Sequence, residues 1–358
     1  MKKGAIRLIC SLFVLVLAGC SLSSGASAPG TAKKYVFSKS ISISKDGGKT
    51  WVDSVTASNK PRVSDINPLS LVFDPGNENI AYVGLLSGGI MKTSTGGESW
   101  EFLALNTERI YGLAIDPTDS KIVYASTVVK GRGKIFKNAA SGAADSWKEI
   151  YTAASNGPLV IYLAIDKRNA NTLYVSTSDN QVVKTVDGGE SWRSIFQPKS
   201  PVTKIALDAK NSNLIYLLTK NGDVFSSSNG GDEFKSVSVK IAATGQTGSG
   251  FSVVESDPSN TNWVYLAGNI GIIRSKDVGA NWELLVTLNN PKNSPVGALA
   301  INPQNSREII YGASQATYKS IDDGRTWSTS QFDLPKTVNI LEYNPLNPSI
   351  VYAGFRGK

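Results

Sequence analysis

The stretch that decides the fold is Ser44-Lys45-Asp46-Gly47-Gly48-Lys49-Thr50-Trp51, because the chain repeats it. TSTGGESW (Thr93 to Trp100), TVDGGESW (Thr185 to Trp192), SKDVGANW (Ser275 to Trp282) and SIDDGRTW (Ser320 to Trp327) are variants of it. ASGAADSW (Ala140 to Trp147) and SSNGGDEF (Ser227 to Phe234) are weaker copies in the gaps. The closing aromatics Trp51, Trp100, Trp147, Trp192, Phe234, Trp282 and Trp327 lie 46 residues apart on average, from 51 to 327 over six steps. Self-similarity at a fixed period of this length marks a repeat architecture.

A second motif keeps the same rhythm: a strand, Asp-Pro or a relative, a polar turn, then a strand opening near Tyr. LVFDPGNENIAYVG (Leu71 to Gly84) and LAIDPTDSKIVYAS (Leu113 to Ser126) are clear copies, and YNPLNPSIVYAG (Tyr343 to Gly354) is the last. Proline removes a ladder donor and so ends the first strand of each unit. Each unit then holds about four short strands, two around the Asp-Pro turn and two around the octet. Four strands per unit of about 40–50 residues predict an all-β, seven-bladed β-propeller. The first octet lacks a preceding strand pair and the last strand pair lacks an octet. Together they make a composite last blade closed by N- and C-terminal strands, which removes the free sheet edges.

The octets resemble the Asp-box, or BNR repeat, of sialidases, sortilin-type receptors, xyloglucan-cleaving glycosidases and the photosystem II assembly-factor lipoproteins. In this pattern Asp46, Asp187, Asp277 and Asp322 accept backbone N–H bonds inside the hairpin. Gly48 and its counterparts take a positive-φ position. Trp51, Trp100, Trp192, Trp282 and Trp327 plug the hairpin onto the blade core. Calcium binding or catalysis by the Asp ladder is the functional alternative. Against it, the octets recur around the ring, whereas a catalytic site needs one unique constellation, and Thr95 and Asn229 replace the Asp in two copies.

The N-terminus reads as an address. Lys2, Lys3 and Arg7 precede a ten-residue apolar run, Leu8 to Leu17. A membrane span needs roughly 20 residues, so this is a signal-peptide core. Leu17-Ala18-Gly19-Cys20 resembles the bacterial lipobox, which implies lipidation at Cys20. The expected organisation is a signal peptide over 1–19, a lipidated Cys and flexible tether over 20–34, and the propeller over 35–358. The resemblance implies an exported, membrane-anchored lipoprotein facing periplasm or cell exterior, with outer-membrane sorting favoured by Ser21.

Composition removes several chemistries. There is no His, and both Cys, Cys10 and Cys20, precede residue 21. The propeller therefore has no imidazole base, thiolate nucleophile, disulfide or Cys-ligated zinc. No cofactor or metal is expected. Residues 1–19 hold three of the 37 basic residues and no acid, leaving 34 against 29 acidic. That mild excess does not imply nucleic acid. A sialidase arginine triad would have to come from Arg62, Arg109, Arg132 and Arg356. Xyloglucan-cleaving relatives place two carboxylates across a cleft between two propellers, and this chain supplies one.

The remaining candidate is the loop face carrying the second-to-third and fourth-to-first connections. Lys60, Arg62, Arg109, Lys130, Arg132, Lys134, Lys199, Lys204, Lys220, Lys240, Lys292, Lys336 and Arg356 are assigned to it, against Asp65, Glu108, Asp179, Asp223 and Asp333. KGRGK (Lys130 to Lys134) is its densest cluster, read as an extended, mobile loop. It is either a solvated basic loop or a docking face for an acidic protein segment, anionic glycan or lipid headgroups. The expected role is a non-catalytic, monomeric binding or assembly scaffold whose partner is another envelope protein or an anionic glycan. The alternative is a surface glycoside hydrolase or carbohydrate-binding lectin. Unique carboxylates at the channel mouth would favour the enzyme, and a carboxylate-poor basic rim the scaffold.

Overall fold

A computed structural model describes residues 40–54, 66–105, 107–153, 157–242, 245 and 250–357. The signal segment, Cys20, the tether, Lys60, Arg62 and Asp65 lie outside the described residues. The rest forms seven four-stranded antiparallel sheets arranged as the blades of a propeller. The inner strands are Pro68–Phe73, Arg109–Ile115, Val160–Ile165, Val202–Leu207, Phe251–Ser256, Val296–Ile301 and Thr337–Tyr343, and they open blades 1 to 7 in that order. Blade 7 is the composite one. Thr337–Tyr343 pairs with Val351–Arg356, which pairs with Ile41–Ser44 and then Val52–Asp53. The seam between the two ends has Ile41 opposite Gly354 and Ser44 opposite Val351.

The core is divided among the interfaces between blades. Leu71, Val83 and Trp100 of blade 1 share a cluster with Ile41, Ile43 and Tyr352 of blade 7. An equivalent cluster lies at each of the other six interfaces. The second strand of every blade is buried along its whole length or nearly so. Its tyrosine (Tyr82, Tyr124, Tyr174, Tyr216, Tyr265, Tyr311, Tyr352) is among the largest fully buried side chains.

The octets show why the motif has its sequence. In six of the seven octets the opening residue accepts the N–H of the glycine four places on. Examples are Ser44 Oγ from Gly48 at 2.7 Å, Thr185 Oγ1 from Gly189 at 3.0 Å and Ser320 Oγ from Gly324 at 2.8 Å. The Asp then accepts backbone N–H bonds further along the turn, as Asp46 does from Thr50 at 2.9 Å and Asp322 from Thr326 at 2.9 Å. Thr95 and Asn229 keep this bond to Ser99 and Glu233, both at 3.0 Å, so the drifted copies preserve the geometry. In blade 2 the motif starts two residues earlier than its Trp-anchored spacing predicts. Asn138 Oδ1 takes the serine's place and binds the N–H of Gly142 at 2.9 Å. A short turn at Ala144–Ser146 absorbs the extra length before Trp147.

Three of the closing tryptophans do more than plug their own blades. Trp100 Nε1 donates to Ser54 Oγ at 2.7 Å, Trp192 Nε1 to the Ile150 carbonyl at 3.2 Å and Trp327 Nε1 to the Val286 carbonyl at 2.8 Å. Each acceptor belongs to the preceding blade.

Candidate functional sites: the basic rim and the central channel

The rim face holds the connections between second and third strands and between successive blades. KGRGK is not an extended loop there. Lys130 (φ 52°) and Gly131 (φ 71°) form the two-residue turn of a tight hairpin in which Val129 pairs with Arg132. Two consecutive positive-φ residues match the twist of the flanking strands. Arg132 and Lys134 therefore lie on a strand, and both are engaged. Arg132 Nε donates to the Ala153 carbonyl at 3.2 Å and its Nη2 binds the same oxygen. Lys134 Nζ pairs with Glu149 at 2.5 Å, with its side chain only 19% exposed. The hydrogen bond from Lys134 holds the Glu149 carboxyl below its usual range.

Of the three, Lys130 alone is exposed, at the hairpin tip. Arg109 sits opposite Val128 in the same sheet, exposed, and donates through Nη1 to Tyr111 Oη at 3.2 Å. Arg356 is exposed at the end of its strand in blade 7, away from that hairpin. Two further lysines leave the rim. Lys336 is buried, donating to Ser40 Oγ at 2.9 Å and the Ile66 carbonyl at 3.3 Å. Lys204 lines the channel. Among the described residues, exposed cations on this face are Arg109, Lys130, Lys199, Lys220, Lys240, Lys292 and Arg356, against exposed Glu108, Asp179, Asp223 and Asp333.

The channel is built by the inner strands. Every one of them carries a β-bulge against its partner at the same place, between Pro68 and Ser70 in blade 1 and between Val202 and Lys204 in blade 4. A bulge re-aims the side chain beside it. The residues after the bulges are Ser70, Gly112, Tyr162, Lys204, Val253, Ala298 and Ile340, and all line a cavity of about 170 Å³. Two residues further on comes a second ring. Five blades place Val72, Ala114, Ala164, Ala206 and Ala300 there, and the other two place Glu255 and Glu342. This ring borders a cavity of about 510 Å³ that extends to the face of the Asp-Pro turns. Around its mouth stand Pro75, Pro117, Pro258, Pro303 and Pro345, with Ala209 and Lys167 in the remaining two positions.

Tyr162, Glu255 and Glu342 line both cavities, so the ionisable groups lie where the two meet. Lys204 Nζ rests over the Tyr162 ring, 5.3 Å from its centroid. Glu342 is open to the channel and Glu255 partly so, yet protein surrounds both. Burial raises Glu255 to about 7, against the opposing charges of Lys204 and Lys167. Burial raises Glu342 to about 8, with the Glu255 charge next in weight. The Tyr162 phenol is pushed up by burial, then by both glutamates. Perturbed groups converging on a cavity of this size are the usual mark of a small-molecule site. The sequence reading missed it. The signal was present in the aligned inner strands, where Glu interrupts a run of Ala and Val.

No group of three or more Asp, Glu, His or Cys that could hold a metal occurs among the described residues. No helix among them is long and apolar enough to cross a membrane.

No protein-family model and no curated protein matches the chain. Solved structures match in fold. A GH74 xyloglucanase from Xanthomonas campestris aligns with TM-score 0.67 at 16% identity, over 82% of this chain and 51% of the enzyme. YCF48 bound to D1 peptide aligns with TM-score 0.61 at 14% identity, over 81% of this chain and 93% of YCF48. YCF48 from Cyanidioschyzon merolae gives TM-score 0.61 at 13% identity, over 81% and 95%. At these identities the likeness establishes the fold alone. The chain spans about half the length of the xyloglucanase, and nearly all of YCF48 falls within the alignment.

Proposed function

We propose that the chain is a non-catalytic envelope lipoprotein, anchored through Cys20, that docks an acidic partner on its rim face as a binding or assembly scaffold. The observation that carries this reading is the surplus of exposed lysine and arginine over carboxylate on that face. Clustered like charge steers an oppositely charged partner and weakens as salt screens it. The extent of the alignment to YCF48, seen bound to D1 peptide, supports it further. The docking residues are Lys130, Arg109, Lys220 and Arg356. Arg132 and Lys134 are committed to the hairpin instead. The test is binding of the chain without residues 1–34 to immobilised polyglutamate and to an anionic polysaccharide. Binding should fall with added salt and be lost in Lys130→Glu/Lys220→Glu/Arg356→Glu. Salt-independent binding, or an unaffected triple variant, rejects the rim. The anchor has its own test: Cys20→Ala should release the protein from membranes.

The second reading, a glycoside hydrolase, is favoured by Glu255 and Glu342, two carboxylates that break the repeat, one of them holding a proton near neutral pH as a general acid does. They stand inside a closed ring, where a long glycan offers only its end. Release of sugar from xyloglucan or a sialoside, lost on Glu255→Gln, would put this reading first.

A further inference from the structure

The inner strands repeat seven times, and what the fold needs from them is visible in what repeats. The position that Glu255 and Glu342 occupy needs a small apolar side chain, since the other five blades use Val or Ala there. The mouth position needs a turn former, since five blades use Pro. Glutamate in the second ring and Lys167 at the mouth are therefore additions that the architecture does not require. They occupy one cavity together with Tyr162.

We propose that the channel mouth on the Asp-Pro face binds a small organic cation, a primary ammonium on an apolar body, with the ammonium held between Glu255 and Glu342. The proposal is independent of docking on the rim, which lies on the opposite face. Several features point to this class of ligand. The cavity, about 510 Å³, lies within the range of about 300–1,000 Å³ that small molecules occupy. The rest of its wall is small and apolar: Val72, Ala114, Ala164, Ala206, Ala300 and the prolines suit an alkyl or aryl body. The two glutamates interact through their charges, and Lys204 and Lys167 reach them through charge alone, without a hydrogen bond. Lys204 is spent on the Tyr162 ring. An ammonium supplies the donors that two carboxylates lining one cavity lack. An anion would meet both glutamates, and a divalent metal would find only two acidic ligands beside two lysines. A neutral sugar brings hydroxyl donors but no charge to either carboxylate.

The pH dependence follows from the groups that line the channel. These are Glu255 and Glu342 themselves, Lys204 and Lys167, and the phenols Tyr111, Tyr162 and Tyr343. Burial raises Glu255 to about 7 and Glu342 to about 8. At pH 6 the pair is protonated and its pull on a cation is weak. At pH 9 both are ionised, while an alkylamine, with a pKa near that of lysine at about 10.4, is still charged. Affinity for the amine should therefore rise with pH.

The experiment is isothermal titration calorimetry of the full chain with n-butylammonium and with n-butanol as its neutral counterpart, at pH 6 and pH 9. Binding of butylammonium at pH 9, at least tenfold weaker at pH 6 and absent for butanol, is the expected result. Glu255→Gln/Glu342→Gln, isosteric and checked for folding by circular dichroism, should lose at least tenfold in affinity at pH 9 and lose the pH dependence. Equal binding of butanol, no heat with the amine, an unaffected double variant, or competition by a neutral oligosaccharide in place of the amine overturns the proposal.

Discussion

The octets and the channel ring are both sevenfold, but they tolerate variation in opposite ways. In the octets the residues change while the bonds stay. Asp46 becomes Thr95 or Asn229, Ser44 becomes Asn138, and the same backbone N–H groups are satisfied. In the channel ring the backbone stays while the chemistry changes, with glutamate at two positions among five small apolar residues. Drift that conserves a hydrogen bond belongs to the fold. A charge placed where the fold asks for a methyl group belongs to something else.

If repetition means architecture, breaking the repeat at the seam should cost most. Removing Asn339 to Lys358 takes most of one strand and all of another from blade 7 and strips both of its flanking clusters. The expected outcome in calorimetry is loss of the cooperative transition, or a melting temperature lower by more than about 10 °C. That is well beyond the roughly 2–4 °C that about 1 kcal/mol shifts a domain of this size. A truncated chain melting within a few degrees of the parent would show that the two ends do not close the ring.

The next largest effect should come from a cross-blade contact that the octet pattern alone does not announce. Arg274 of blade 5 is 2% exposed and reaches the blade 6 octet. Its Nη2 binds Asp323 Oδ2 at 3.1 Å and its Nη1 binds Oδ1, while Nε binds Glu283 at 2.7 Å. The guanidinium lies 5.1 Å from the centre of the Trp263 ring. Arg274→Ala removes one partner of a buried pair, a change that costs about 3–5 kcal/mol. The figure should fall at the low end here, because solvent reaches Asp323 and Glu283. Arg274→Met, which keeps the packing, should cost less. Urea denaturation of both separates charge from volume.

Glycines offer a sharper contrast between octet and rim. Gly97 has φ +84°, and a Cβ there would lie 2.0 Å from Ile43 Cδ1 and 2.8 Å from Tyr352 Oη, across the interface with blade 7. Gly131 has φ +71° with nothing within 4 Å. Gly97→Ala should cost about 2–3 kcal/mol, strain plus overpacking, and Gly131→Ala about 1 kcal/mol, strain alone. Equal losses in urea midpoints would mean that the octet glycine serves its turn and not the interface.

Much of this was legible in the chain. Period, strand count, closure and the octet glycines follow from turn chemistry, which is local. The basic residue before the octet was legible but unread. Lys92, Lys137, Lys184, Arg274 and Lys319 all precede it directly, and Lys92 and Lys184 donate to Ser141 and Gly230 of the next blade at 3.2 and 2.9 Å. Their role depends on which blade lies next to which, and that is a property of the closed ring. A plain count along the strand puts Lys204 on the rim, because it cannot see the bulge that turns the side chain inward. The two glycines of KGRGK suggest a mobile loop. Only Gly131 has a positive φ, shared with Lys130, and Gly133 sits in the strand against Leu159 and Val160.

The smallest expected effect tests the channel ring itself. Glu255 and Glu342 are raised above the ordinary glutamate value of about 4.3. A group whose folded-state pKa is raised binds its proton more tightly when folded. It therefore costs nothing below the unfolded value, and destabilises progressively as pH climbs to the folded one. The window runs from about pH 4.3 to the folded values of about 7 and about 8. Glu255→Gln/Glu342→Gln removes the ionisation and keeps the shape. Its urea midpoint should match wild type at pH 4, pull ahead through neutrality and stay ahead at pH 9. Replacing Asp322 by Asn should behave the other way. Hydrogen bonds from Thr326 hold that carboxyl at about 2, so its contribution persists at neutral pH and is lost as pH falls through that value. If the double glutamine variant loses stability at pH 9 instead, the glutamates are held by the fold like the octet aspartates, and the contrast between the two rings fails.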